Sequence, residues 1–192
     1  MSTPTTNLMT AEEFFDWANR PENRDRHCEL VRGEIVEMSL PGKRHGFVCG
    51  NIARILGIYT ALRKKGYVCT NDTGTVVERD PDTVRGPDVM LFEDVTNYDE
   101  LEIKFAEEPP LLAVEVLSPN DKPAEVRERI AQQLQFGTRW VWVVDPSKRN
   151  VTVYRPGQEP YVVAENEELT GEDVLPGFRC RVAEFFAFPG QS

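Results

Sequence analysis

Two apolar runs, each interrupted by a single acid, limit what this chain can become. The first is Arg85-Gly-Pro-Asp88-Val-Met-Leu-Phe92; the second is Pro110-Leu-Leu-Ala-Val-Glu115-Val-Leu-Ser118-Pro-Asn-Asp121. Continuous runs of β-favourable residues suit strands covered on both faces, and Pro87 stands where a strand begins, a place a sheet tolerates proline. A carboxylate carried into such a strand needs a cation, a hydrogen-bond donor or a shifted pKa. Either acid alone reads as an arginine partner or a loop cap. Together, on neighbouring strands, Asp88 and Glu115 converge on one point. Two like charges ~4 Å apart repel by about 4 kcal/mol even at an effective dielectric of ~20. A divalent cation between them turns that repulsion into binding, and oxygen-only ligation suits Mg2+ or Mn2+.

Length and composition set the outer bounds. The 192 residues fit one domain, 1–192, with residues 1–8 expected as a flexible tail. Apolar residues make up 40% and charged residues 28%, ordinary for a globular protein. No run approaches the ~18 apolar residues a membrane span needs. Cys28, Cys49, Cys69 and Cys180 are scattered without a Cys-x-x-Cys pair, and only His27 and His45 accompany them. This argues against a zinc site and for reduced thiols in the cytoplasm. The net charge of −10 argues against indiscriminate gripping of nucleic acid, which calls for a basic protein. The charge is nonetheless segregated. Bases cluster at Lys43-Arg44-His45, Arg63-Lys64-Lys65 and Arg127–Arg129, and acids at Asp94–Glu108 and Glu165–Asp173. Each cluster alone reads as a solvated face; their separation leaves room for a polyanion-facing side.

In chain order, Thr10 caps a short helix to Asn19 with Glu12 and Glu13 in its first turn. Cys28–Val31 and Glu34–Met38 form a hairpin around Arg32-Gly33. Val48, Ile52, Ile55, Leu56, Tyr59 and Leu62 fall at helical spacing and predict a long helix from about His45 to Lys65, stopped by Gly66. His45 reads as an ordinary first-turn residue more readily than as a substrate contact. Strands follow at Tyr67–Thr70 and Thr75–Glu78, with Arg79–Arg85 as a connection. Asp94–Pro109 is an acidic excursion between the two acid-bearing strands. Pro123 suits the first position of a helix over Ala124–Phe136, ended by Gly137. Arg139–Asp145, Val151–Tyr154 and Tyr161–Val163 complete the strands, and Val174–Phe178 and Phe185-Phe186 close the core. The order predicts an α/β fold: a mixed sheet with helices on both faces.

At this point the residues resemble a known family. Pro87-Asp88 followed by Glu115 on the next apolar strand is similar to the Pro-Asp…(Asp/Glu)-x-Lys nuclease superfamily, whose fold is that of restriction endonucleases. The phrases Glu29-Leu-Val-Arg-Gly-Glu34-Ile-Val, Gly86-Pro-Asp88-Val, Ala113-Val-Glu115-Val-Leu-Ser118-Pro and Trp140-Val-Trp-Val-Val-Asp145-Pro more closely resemble its Uma-type branch. That is a large bacterial family assigned as endonucleases and formerly held as a domain of unknown function. The resemblance runs from about Met9 to Phe188.

The resemblance implies DNA as substrate, Mg2+ or Mn2+ as cofactor, and a homodimer by analogy with the fold's relatives. It makes Asp88, Glu115 and the carbonyl of Val116 the metal ligands, with Glu29 a supporting carboxylate at the edge of the site; from the residues alone Glu29 reads nearly as readily as a surface salt-bridge partner. One position departs from the pattern. Leu117 stands where the superfamily has lysine, and the branch's lysine on the following helix is Arg129 here. Arginine keeps the charge but does not trade a proton with water. Lys122 lies nearby as a substitute, and Gln133 stands where a tyrosine is often found. Two classes therefore compete: a metal-dependent nuclease, and a catalytically weakened relative that binds nucleic acid or a protein partner. A hydrolase of smaller phosphate esters or a structural domain stands behind them.

Overall fold

The computed structural model describes residues 8–188 and Gly190; the tail expected over residues 1–8 lies, apart from Leu8, outside them. Helix α1 (Ala11–Ala18) starts as its sequence dictates. Thr10 Oγ1 accepts from the Glu13 N–H while the Glu13 carboxylate accepts from the Thr10 N–H, a reciprocal cap. A hairpin, β1 (Cys28–Val31) and β2 (Glu34–Glu37), precedes the long helix α2 (Lys43–Arg63). That helix ends two residues before the expected Lys65, because Lys64 takes the left-handed conformation at its C-cap. Then come β3 (Tyr67–Thr70), β4 (Thr75–Glu78), β5 (Thr83–Arg85), β6 (Val89–Phe92) and β7 (Leu112–Val116). Helix α3 (Pro123–Phe136) stops where Gly137 supplies a φ of 116°. It leads to β8 (Trp140–Asp145), β9 (Asn150–Tyr154), β10 (Tyr161–Ala164), β11 (Glu168–Thr170) and β12 (Arg179–Arg181).

Six strands form one mixed sheet in the order β10-β9-β8-β7-β6-β3. Only β7 and β8 run parallel, as α3 between them requires; the other pairs are antiparallel. The three apolar strands singled out in the sequence are therefore consecutive neighbours at the sheet's centre. Side chains alternate between its faces. Val89, Leu91, Leu112, Val114, Val116, Trp140, Trp142 and Val144 pack against Val48, Ile52 and Leu56 of α2 and against Leu175, Phe178 and Phe185. Met90, Phe92, Ala113, Val141 and Val143 pack against Ile130, Val126 and Leu134 of α3. Both faces are covered, so acids here are enclosed. Trp140 and Trp142 are fully buried, and truncating either to alanine costs about 3–5 kcal/mol.

A second sheet, β2-β1-β5-β4, packs on α1 through Phe14, Leu30, Val76 and Val84. The stretch Arg79–Arg85, expected as a connection, contains one of its strands. Thr-Val-Arg is too short and too mixed to show a period; it pairs with its neighbour β4, Thr75 with Arg85, and with the distant β1, Leu30 with Val84. The β11–β12 pair was equally illegible, with register Leu169 to Cys180. The acidic excursion is partly built in, since Ala106 bridges to Thr75 and Phe105 stacks on Phe14. Among the described residues no helix is long and apolar enough to cross a membrane.

Candidate active site

The site grows from the way β6 begins. Val89 pairs with Val114, so continuing the register sets Asp88 opposite Glu115 and Pro87 opposite Val116. Proline has no N–H and breaks the ladder. The Val116 N–H turns instead to the Asp88 carboxylate, donating to Oδ2 at 2.7 Å. One acid thus sits at the start of one central strand, held by the backbone beside the second acid at the end of its neighbour. Glu115 follows Ala113 in the alternation and lies on the α3 face, 7% exposed.

There α3 supplies Arg129. Its Nε donates to Glu115 Oε2 at 3.0 Å and its Nη2 to Asp121 Oδ1 at 3.2 Å. Asp121 closes the turn after β7 by accepting from the Ser118 N–H at 2.6 Å. The guanidinium stays charged at any workable pH and so favours the carboxylate form of Glu115. Burial, with Asp88 and Glu29 as neighbouring negative charges, nonetheless pushes the Glu115 carboxyl well above the usual range against Arg129's pull.

Glu29 is the supporting carboxylate of a different pair. Its Oε2 accepts from Arg85 Nη1 at 2.8 Å and its Oε1 from the Gly86 N–H at 3.0 Å. Arg85 Nε reaches Gln132 Oε1 on α3 at 2.8 Å, and Gln132 passes the chain on to Glu78 at 3.0 Å. This buried network ties the smaller sheet to α3 and fixes Glu29 at the cleft wall. The surface reading of Glu29 is excluded by its burial.

On the opposite wall, His45 Nε2 lies 3.2 Å from Asp88 Oδ1, and its Nδ1 lies 3.5 Å from Cys49 Sγ. The hydrogen bond to Asp88, seconded by Cys49, pushes the imidazole up to about 10, so it is cationic at neutral pH. Asp72 pairs with His27 at 3.2 Å. Burial raises the Asp72 carboxyl, with Asp88 and Glu29 adding to it and His27 and His45 opposing. Gly86 makes this approach possible, because a Cβ there would meet the Asp72 carbonyl oxygen at 2.7 Å.

These groups line one cleft of about 590 Å3. Of the residues picked out by sequence, Asp88, Glu115, Val116, Glu29 and Arg129 all reach it. Lys122 does not: it caps α3 with its side chain 75% exposed and paired to Glu125 at 2.8 Å. His45, Arg85, Gln132, Asp121 and Asp72 were missed as site residues, or passed over in the case of His45. Its spacing to Cys49, one helical turn, was the available signal; the others are brought in by pairings no local pattern announces.

The donor set fits a hard divalent cation. The negative charges of Asp88 and Glu29 raise the proton affinity of both Asp72 and Glu115, and the guanidinium and imidazolium groups stand where added positive charge is wanted. Asp88 and Glu115, with the Val116 carbonyl, would offer an oxygen-only set of the kind magnesium and manganese take.

A mixed sheet enclosed by helices, with acids meeting at the ends of adjacent central strands, is the restriction endonuclease-like nuclease architecture. The chain belongs to the Uma2 family, described as "Putative restriction endonuclease", whose profile matches residues 11–183. It is similar to the crystal structure of a "putative nuclease belonging to DUF820" from Anabaena variabilis ATCC 29413, with 21% identity and a TM-score of 0.74 over 93% of this chain and 97% of that one. That likeness establishes a shared fold. No curated protein matches this chain.

Proposed function

We propose that the protein is a nuclease that hydrolyses DNA phosphodiester bonds with Mg2+ or Mn2+ held at Asp88 and Glu115. The observation that carries the reading is that both acids line one cleft from adjacent central strands, with the Val116 N–H, next to Glu115, donating to Asp88. Asp88 and Glu115 would offer carboxylate oxygens, and Val116 its carbonyl. A divalent ion bound there supplies Lewis-acid stabilisation of charge on phosphorus and a more acidic water. Glu29, fixed by Arg85 and the Gly86 N–H, would support that centre from the wall of the cleft. Arg129 holds Glu115 in place, and its Nη1, which has no hydrogen-bond partner among the described residues, is left to take a phosphate oxygen.

The charge pattern supports a polyanionic substrate despite the net −10. Arg24 lines the cleft, and Lys43 and Arg44 follow Leu40 and Pro41, which also line it. None of these three cations has an ion-pair partner among the described residues, so their charge is available to phosphates. Cleavage of labelled duplex and single-stranded DNA with and without added Mn2+, in wild type and Asp88→Asn, tests the reading.

A second reading has its own observation. Arg129 already spends Nε on Glu115 and Nη2 on Asp121, an arrangement that suits a protein that binds nucleic acid and cuts it slowly or not at all.

A further inference from the structure

Behind Asp88 the wall of the cleft carries donors that an oxygen-ligated centre does not use. His45 and Cys49 lie one turn apart on α2, so their side chains share a face of the helix. One donor atom from each of His45, Cys49 and Asp88 lies within 4.8 Å of the other two, and among the described residues no other set of three His, Cys, Asp or Glu side chains meets that spacing. Metal–sulfur bonds of ~2.3 Å and metal–nitrogen or –oxygen bonds of ~2.0–2.2 Å put the donors of a tetrahedral ion about 3.3–3.6 Å apart. The contacts from His45 Nδ1 to Cys49, 3.5 Å, and from Nε2 to Asp88, 3.2 Å, are already of that size, so the three donors need move little to close on one ion. Cys49 is anchored, since it packs from α2 against the core, while His45 and Asp88 face the cleft from which an ion enters.

We infer that His45, Cys49 and Asp88 form a binding site for a thiophilic divalent ion of the zinc class, separate in its ligands from the magnesium-class centre but sharing Asp88 with it. A mixed nitrogen, sulfur and oxygen set selects zinc, cobalt or nickel, and magnesium does not take a thiolate. Binding displaces the proton of Cys49 Sγ and that of the ligating imidazole nitrogen to solvent. The fourth position opens to the cleft, which Asp72 also lines. The regulatory consequence rests on the proposed nuclease reading: an Asp88 drawn to this ion no longer serves the ion at Glu115, so zinc-class metals antagonise magnesium. The binding site itself does not depend on that reading.

The test uses Co2+ as a spectroscopic probe on the reduced, full-length protein. The expected result is thiolate-to-cobalt charge-transfer absorption with the visible bands of a four-coordinate ion, saturating at one equivalent and bleached by Zn2+. Cys49→Ser abolishes the charge-transfer band, His45→Asn weakens cobalt binding more than tenfold, and Glu115→Gln retains the band. Absence of the band in wild type overturns the inference, as does a band that survives Cys49→Ser, which would assign the thiolate to Cys28, Cys69 or Cys180. If Cys49→Ser does not fold, wild type and His45→Asn decide. A protein that cuts DNA with magnesium but gives no cobalt–thiolate band loses this inference alone. One that gives the band and cuts nothing loses the nuclease reading alone.

Discussion

Arg129 meets Glu115 through Nε at 3.0 Å and Asp121 through Nη2 at 3.2 Å. Arg129 is thus a clamp between Glu115 and the turn that follows β7. Its planar fork spans both carboxylates, which a single ammonium cannot do.

The first prediction follows from that clamp. Arg129→Lys gives up one of the two contacts, lowering stability by about 1–2 kcal/mol, but returns an ammonium whose pKa a low-dielectric, metal-rich site depresses. Single-turnover cleavage at saturating Mn2+ is expected to speed up without tighter substrate binding. Arg129→Ala leaves Glu115 buried without its cation and costs about 3–5 kcal/mol in chemical denaturation. Lys122→Ala, at an exposed position paired only with Glu125, leaves the cleavage rate unchanged. A rate that collapses in Lys122→Ala and is unmoved in Arg129→Lys would assign the lysine's role to Lys122.

A second prediction concerns the wall. Glu29 and Arg85 are both buried, with side chains 8% exposed, and Gln132 links them to α3. Glu29→Gln strands the Arg85 charge and is expected to cost about 3–5 kcal/mol. Replacing both partners by apolar residues of similar size restores much of the loss. A double-mutant cycle measures the coupling; additive losses would mean the pair contributes nothing of its own.

The third is a pH effect away from the cleft. Asp82 Oδ2 accepts from the Ala11 N–H at the start of α1 and from Arg79 Nη1, both at 2.8 Å, and Oδ1 accepts from the Asp80 N–H at 3.3 Å. Burial pushes this carboxyl up, but the two backbone donors and the Arg79 guanidinium outweigh it and hold the pKa below the usual value. A depressed folded pKa contributes stability that is present above the unfolded pKa of about 3.9 and lost as pH falls through the folded value. Asp82→Asn is therefore expected to cost about 1–2 kcal/mol at neutral pH, with its unfolding curve converging on wild type in acid. A gap that persists undiminished below pH ~3 would contradict this.

The elements with a strong period or a strong cap were legible in the sequence, and so were the two acids. Val89–Phe92, Leu112–Val116 and Trp140–Asp145 carry enough apolar, β-branched and aromatic side chain to declare a doubly covered strand. Thr10 with Glu13, and Pro123 with Gly137, mark the ends of helices. β5 and the β11–β12 pair were hidden because three residues of mixed polarity carry no period, and β5 also pairs with β1, far back along the chain. The site was legible through Asp88 and Glu115, whose acidity contradicts their surroundings. Gln132 and Asp72 were not, since a buried glutamine on α3 and an aspartate in a left-handed turn look locally like any solvated polar residue. His45 was passed over because its partner, Asp88, lies 43 positions away.

The central claim is that Asp88 and Glu115 jointly hold the ion on which cleavage depends, and single-turnover cleavage of labelled DNA tests it most directly. Asp88→Asn keeps an oxygen that accepts from the Val116 N–H, so the fold survives while a charged ligand is lost. The account predicts that chelation of divalent ions stops cleavage by wild type and that added Mn2+ restores it. It also predicts that Asp88→Asn and Glu115→Gln each lower the rate by more than the roughly 10–100-fold that loss of an outer-shell partner costs. Cleavage that persists after chelation, or that proceeds at the wild-type rate in either variant, would contradict it; binding of DNA without cleavage by any form would instead favour the weakened relative.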